Sequence, residues 1–162
     1  MSIQELLEEI ARRGSWYGGG SVAALGAAAS AALLEKLAGE GVAGRRLRRI
    51  RRRATRVIEE DAKAFARVIA ATRSPNRRRF RSALNAATRA QETVLRAAGE
   101  VQRAGRAARC AIKPRFQSDV RCALALANAS AESAKGFIRT NLTWLNDSRG
   151  TRRAQRRFRR LS

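Results

Sequence analysis

Ser21-Val22-Ala23-Ala24-Leu25-Gly26-Ala27-Ala28-Ala29-Ser30-Ala31-Ala32-Leu33-Leu34, closing on Glu35-Lys36-Leu37-Ala38, is the stretch that decides the fold. It carries no charge before Glu35, so its spacing predicts a helix apolar almost all round, which must be covered on most sides. Alanine and Gly26 let neighbouring helices come close. A second such run, Ala123-Leu124-Ala125-Leu126-Ala127, sits in a helix expected from about Ser118 to Leu145. Two buried central helices flanked by amphipathic ones imply an all-α, multihelical bundle.

The flanking helices are read from period and caps. Residues 2 to 13 form a short amphipathic helix, with Ser2 and Glu5 as a capping box and Ile3, Leu6, Leu7 and Ile10 on one face. A third helix runs from about Arg45 to Arg73 with the inward stripe Ile50, Ala54, Val57, Asp61, Phe65, Val68 and Thr72. A fourth, from about Asn76 to Ala108, presents Phe80, Leu84, Ala87, Gln91, Val94, Ala98 and Val101. Pro75 and Pro114 fall in the connections, as proline requires. No repeat or low-complexity linker divides the chain, so residues 1–150 are one domain and 151–162 a basic C-terminal tail.

Composition narrows the chemistry. The chain has 162 residues, with 35 basic and 13 acidic side chains and a net charge of +22. Such a charge attracts polyanions. Nucleic acid is therefore a candidate partner, through residues 45–53, 77–79 and 152–160, although no nucleic-acid motif is visible and aromatics hardly interleave with the arginines. Arginine richness from a GC-rich genome explains the same charge without a ligand. Histidine is absent and the two cysteines, Cys110 and Cys122, stand apart, which argues against a transition-metal site and for a reducing, cytoplasmic setting. No run reaches the roughly 18 consecutive apolar residues of a membrane span, and no signal peptide is read at the start.

Catalysis must then rest on carboxylates, amides, lysines or backbone groups. Asp61 stands out because it occupies the apolar stripe of the third helix, where burial perturbs a carboxyl pKa. Gly18-Gly19-Gly20-Ser21 opens the second helix, where close backbone approach and free N–H groups favour an anion; a plain turn with a serine cap is the competing reading. Asp119 near the start of the fifth helix is sufficiently explained as a first-turn acid, and Asn141 near its end as an interhelical hydrogen bond.

Taken in order, Gly-Gly-Gly-Ser-Val-Ala-Ala-Leu at 18 to 25, Asp-Ala-Lys-Ala-Phe at 61 to 65, Ser-Asp at 118 to 119, and Asn141-Leu142 followed by Asp147 resemble the cyclodeaminase/cyclohydrolase family. This family comprises formiminotetrahydrofolate cyclodeaminases and methenyltetrahydrofolate cyclohydrolases. The resemblance covers about residues 2 to 148. It implies an all-α homodimer binding a tetrahydrofolate derivative in a groove between subunits, without metal or cofactor. One reaction closes 5-formiminotetrahydrofolate to the 5,10-methenyl form with loss of ammonia. The other adds water to the methenyl bridge, and a chain without a formiminotransferase domain tilts towards it. On this resemblance Asp61 and Asp119 are the catalytic candidates, and Gly18, Gly19, Gly20, Ser21, Lys113 and Asn141 bind substrate, with nearby arginines holding a folate carboxylate.

The chain departs from the family pattern at three places. Tyr17 stands where a proline precedes the triple glycine, Lys113-Pro114-Arg115 replaces Asn-Pro-Asn, and Gln91 replaces a proline in the fourth helix. A non-catalytic basic binding protein on the same scaffold is the alternative function.

Overall fold

A computed structural model describes residues 1–73, 76–108 and 112–145. Five helices make up the described chain: α1 (Ile3–Ala11), α2 (Gly19–Ala38), α3 (Val42–Thr72), α4 (Arg77–Ala108) and α5 (Gln117–Trp144). A 3-10 turn, Pro114–Phe116, leads into α5. The architecture is the all-α bundle that the two apolar runs imply. The basic tail, Cys110 and Asp147 lie outside the described residues.

Helix α2 is the hub, packing against α3, α4 and α5, while α3 packs on α4 and α4 on α5. Its length and hydropathy match those of a membrane-spanning helix. The central helix of a bundle requires much the same composition, because most of its sides meet other helices; here a stripe through Val22, Ala29 and Lys36 stays exposed. Ala24, Ala27 and Ala31 are fully buried, and their small side chains bring the neighbouring backbones close. The stripes of α3 and α4 close the core through Ile50, Val57, Leu84, Val94 and Val101. Phe65 and Thr72 of the expected α3 stripe are exposed instead, and Ala71 takes the inward place.

Polar contacts fix how the helices join. Ser2 and Glu5 form the reciprocal capping box of α1. Only Leu6 of that helix is buried, and Ile3 and Leu7 stay largely exposed, so its apolar face is not covered by the described chain. Gly39 ends α2 with φ +67°, the left-handed region that glycine tolerates best. Glu35 then ties α2 to α3 by accepting from Arg48 Nε at 2.8 Å and Arg51 Nε at 2.7 Å. Glu100 of α4 receives Arg53 of α3 at 2.6 Å.

Helix α2 begins two residues before its expected start. Gly18 is the N-cap, with no side-chain cap, and Gly19 and Gly20 are already helical. Ser21 is therefore not a cap but a residue of the first turn, and its hydroxyl is turned into the protein.

Candidate active site

The floor of the site is Asp61. It lies on the face of α3 that meets α2 and α4, and only 9% of it is exposed. Gln91 of α4, itself 1% exposed, donates from Nε2 to Asp61 Oδ1 at 2.6 Å. Ser21 Oγ lies 3.2 Å from Asp61 Oδ2 and 2.9 Å from the Ile58 carbonyl oxygen, and the Ser21 backbone N–H also donates to the carboxyl. Three helices thus converge on one carboxyl group.

Burial pushes the Asp61 carboxyl above the ordinary aspartate range; the hydrogen bonds from Gln91 and Ser21 pull the other way and offset only part of it. Ser21 has one hydroxyl proton and two acceptors. When Asp61 is ionised the serine can donate to it. When Asp61 is protonated its own O–H can donate to Ser21 Oγ while the serine turns to Ile58. The surroundings therefore accommodate both protonation states, which is what a proton-transfer group needs.

Above Asp61 is a cavity of about 240 Å³. Its backbone wall is Gly18, Gly19 and Gly20, its far wall Thr140 and Asn141 of α5, and Ala87 and Val68 close the sides. Trp16, Phe65, Phe137 and Trp144 complete it. Eight aromatic residues occur in the sequence, and four of them, including both tryptophans, surround this one space. Trp16 and Phe65 meet edge to face with ring centroids 6.3 Å apart. Among the described residues, Asp61 is the only ionisable one in the lining. An aromatic slot with one buried carboxyl at its base suits a flat heterocycle carrying ring N–H groups or a delocalised cation.

The glycines serve approach rather than flexibility. A Cβ on Gly20 would fall 2.5 and 2.6 Å from the two Asp61 carboxylate oxygens and closer still to Gln91 Nε2. A Cβ on Gly19 would meet the Phe137 ring at 2.6 Å. Larger residues at these positions would displace the walls of the site.

The expected site residues sort clearly. Gly18, Gly19, Gly20, Asp61 and Asn141 line one cavity, and Ser21 stands behind Asp61. Lys113 and Asp119 are not there. Asp119 is 22 residues from Asn141 along α5, roughly 33 Å at 1.5 Å per residue, so the two ends of that helix cannot share one site within a chain. Among the described residues no arginine lines the cavity. Gln91 belongs to the site and was absent from the expected set. Its signal was present, because it is a polar residue at the α4 stripe position as Asp61 is on α3. Trp16, Phe137 and Trp144 were less legible, because the loop before α2 and the end of α5 that carry them are far apart in the chain. Gln91 Oε1 is buried with no hydrogen-bond partner among the described residues, which leaves one acceptor unused beside Asp61.

Comparison with known proteins agrees with this architecture. The formiminotransferase-cyclodeaminase family profile matches residues 2–160. The chain belongs to that family. Among solved structures, formiminotetrahydrofolate cyclodeaminase from Thermotoga maritima superposes with a TM-score of 0.88 at 20% identity, covering 99% of this chain and 88% of that one. At that identity the likeness carries the fold. No curated protein matches the sequence significantly. The family is folate-related, and the Asp61 cavity is where the described chain sets a buried carboxyl beside an aromatic-lined space.

Proposed function

We propose that this family member acts on the one-carbon unit carried between N5 and N10 of tetrahydrofolate, with Asp61 as its proton-transfer residue. The family's name and the cyclodeaminase to which the chain is structurally similar favour ring closure of 5-formiminotetrahydrofolate with release of ammonia; opening of the methenyl bridge by water is related bond chemistry with another nucleophile. The observation that carries the reading is the pairing of a buried, protonatable carboxyl with an aromatic slot.

In ring closure N10 attacks the formimino carbon and gives a tetrahedral carbon bound to three nitrogens. The N10 proton must leave and the exocyclic nitrogen must gain protons before it departs as ammonia. The product is a cationic amidine. Asp61 as carboxylate takes the N10 proton and as acid delivers a proton to the leaving nitrogen, and the burial that raises its pKa eases its use as the acid. Trp16, Phe65 and Phe137 offer ring faces to the cation, and Asp61 returns to the carboxylate opposite it. Gln91 Oε1 and Asn141 are positioned to hydrogen-bond the pterin edge. No metal or cofactor is required by this chemistry.

A homodimer is part of the proposal. Leu126 and Phe137 on α5 and Val22 on α2 are exposed apolar residues, and a two-fold axis near Ala129 would run α5 antiparallel to its copy. Residues 119 and 141 would then face each other across the axis, giving Asp119 and Lys113 a route to the cavity of the second copy. The 5,10-methenyl form absorbs in the near ultraviolet, so its appearance from 5-formiminotetrahydrofolate, or its decay in buffer, follows either reaction. Turnover by the wild type that is lost in Asp61→Asn supports the proposal; no turnover of either substrate by the folded protein would sink it.

A further inference from the structure

The two basic segments among the described residues differ in what their arginines touch. In residues 45–53, Arg46, Arg48, Arg51 and Arg53 are within ion-pair distance of Glu35, Glu40 or Glu100. Those four brace the helix, while Arg45, Arg49 and Arg52 of the same segment have no carboxylate within ion-pair distance among the described residues and are scattered along it. Residues 62–91 are of another kind. They contain eight basic residues and no acid, and among the described residues only Lys63 of the eight has a carboxylate within ion-pair distance, on Glu59.

The structure gathers these charges into a shape. Arg67 of α3 faces Arg78, Arg79 and Arg89 of α4 across a groove of about 640 Å³. A neighbouring groove of about 720 Å³ is lined by Arg77, Arg78, Arg81, Ser82, Asn85 and Arg89. Arg78, Ser82 and Arg89 are common to both, at helical spacings of four and seven, so they form a ridge along one face of α4. From Arg78 to Arg89 the ridge runs roughly 16 Å at 1.5 Å per residue. Its surroundings are separate from the Asp61 cavity: Arg67 and Ala70 are turned about 120° and 180° from Asp61 around α3, at about 100° per residue.

We infer that this face of the α3–α4 hairpin binds the phosphodiester backbone of a nucleic acid duplex without regard to sequence. Guanidinium groups on two walls, with Ser82 and Asn85 between them, supply charge and hydrogen-bond donors to a row of phosphates. The ridge spans about five nucleotides at 3.4 Å per nucleotide of one strand. No aromatic side chain lines either groove, so the stacking that single-strand binding uses is absent. None of the large exposed hydrophobic residues falls between residues 67 and 108, so the face lacks the apolar wedge by which a basic helix enters a lipid surface.

The test is fluorescence anisotropy with random 20-base-pair DNA and RNA duplexes between 50 and 300 mM salt. The wild type is compared with Arg78→Gln/Arg81→Gln/Arg89→Gln and with a control of equal charge loss on α3, Arg45→Gln/Arg49→Gln/Arg52→Gln. Each phosphate contact contributes about 0.9 to the slope of log affinity against log salt. The hairpin variant is expected to lose about 2 to 3 from that slope and most of its affinity at 100 mM salt, with the control losing less than 1. Binding to either duplex supports the inference, because DNA and RNA share the backbone. Equal losses in both variants would show a general field of charge and overturn it. So would tighter binding to single strands than to duplex, or retention by anionic vesicles with no duplex binding. Far-ultraviolet circular dichroism melts establish that both variants remain folded.

Discussion

Gln91 Nε2 and Asp61 Oδ1, 30 residues apart in sequence and on facing helices, are joined by a 2.6 Å hydrogen bond in which both side chains are buried. The bond gives α3 and α4 one fixed register at the site, and it opposes the desolvation that raises the Asp61 pKa. Gln91 therefore acts on the proton affinity of Asp61 as well as on its position.

Removing that donor has a signed consequence. In Gln91→Leu, which keeps volume and apolar packing, Asp61 loses a hydrogen bond that favours its ionised form, and its pKa rises further. If Asp61 works as a base, the acid limb of the kcat/KM profile moves to higher pH, while kcat at its plateau falls less than in Asp61→Asn. An unmoved acid limb would show that Gln91 is only packing.

Asp61→Asn separates function from stability. A carboxyl with a raised folded pKa binds protons more tightly folded than unfolded, so its contribution is most favourable at low pH and is lost as pH rises through the folded value. At pH 7 the charge is a burden to the fold, and the neutral amide relieves it. Turnover should fall by at least 100-fold, the scale expected for a general acid–base group. The melting temperature at pH 7 should hold or rise. A fall of several degrees would mean the carboxylate is structurally required.

The glycine run gives a graded series. Gly18→Ala meets no atom within 4 Å and should be silent in both melting and turnover. Gly19→Ala must displace the Phe137 ring, an end of a side chain that can swing, so substrate KM should rise more than stability falls. Gly20→Ala strikes the Asp61–Gln91 pair itself. Overpacking of this kind costs about 1–3 kcal/mol, and the urea midpoint should drop accordingly.

Acid stability should depend on Glu35. Arg51 and Arg48 hold its carboxyl down to about 2, against 4.5 for a free glutamate. The folded pKa is the lower one, so the stabilising effect is present above pH 4.5 and is lost as pH falls towards 2. Melting temperatures of the wild type and Glu35→Gln should differ at pH 7 and converge by about pH 2. A difference independent of pH would point to packing instead.

Much of the site was legible before any coordinates. Asp61 and Gln91 are both polar residues on otherwise apolar stripes, and each such break marks a place where burial must be compensated by a partner. Gly18–Ser21 was legible as a helix start, but not that its glycines are the first turn or that Ser21 turns inward. That depends on α3, whose Ile58 carbonyl and Asp61 carboxyl take the serine's hydrogen bonds. Lys113 and Asp119 were grouped with the site by their order in the chain, and order carries no distance along a straight helix.

What the sequence determined alone was the helical bundle, since an apolar surface almost all round α2 must be covered by other helices on most sides. It also set the total charge and the absence of histidine. Which charges remain unpaired, and which side chains share a cavity, was decided only in three dimensions. The arginines of residues 45–53 and 77–89 look alike as letters; four of the first group, Arg46, Arg48, Arg51 and Arg53, meet Glu35 or Glu100 because α2 and α4 bring those carboxylates to them, and the second group meets none among the described residues. In the same way four aromatics from distant segments become one slot over Asp61, because the ends of α2, α3 and α5 converge there.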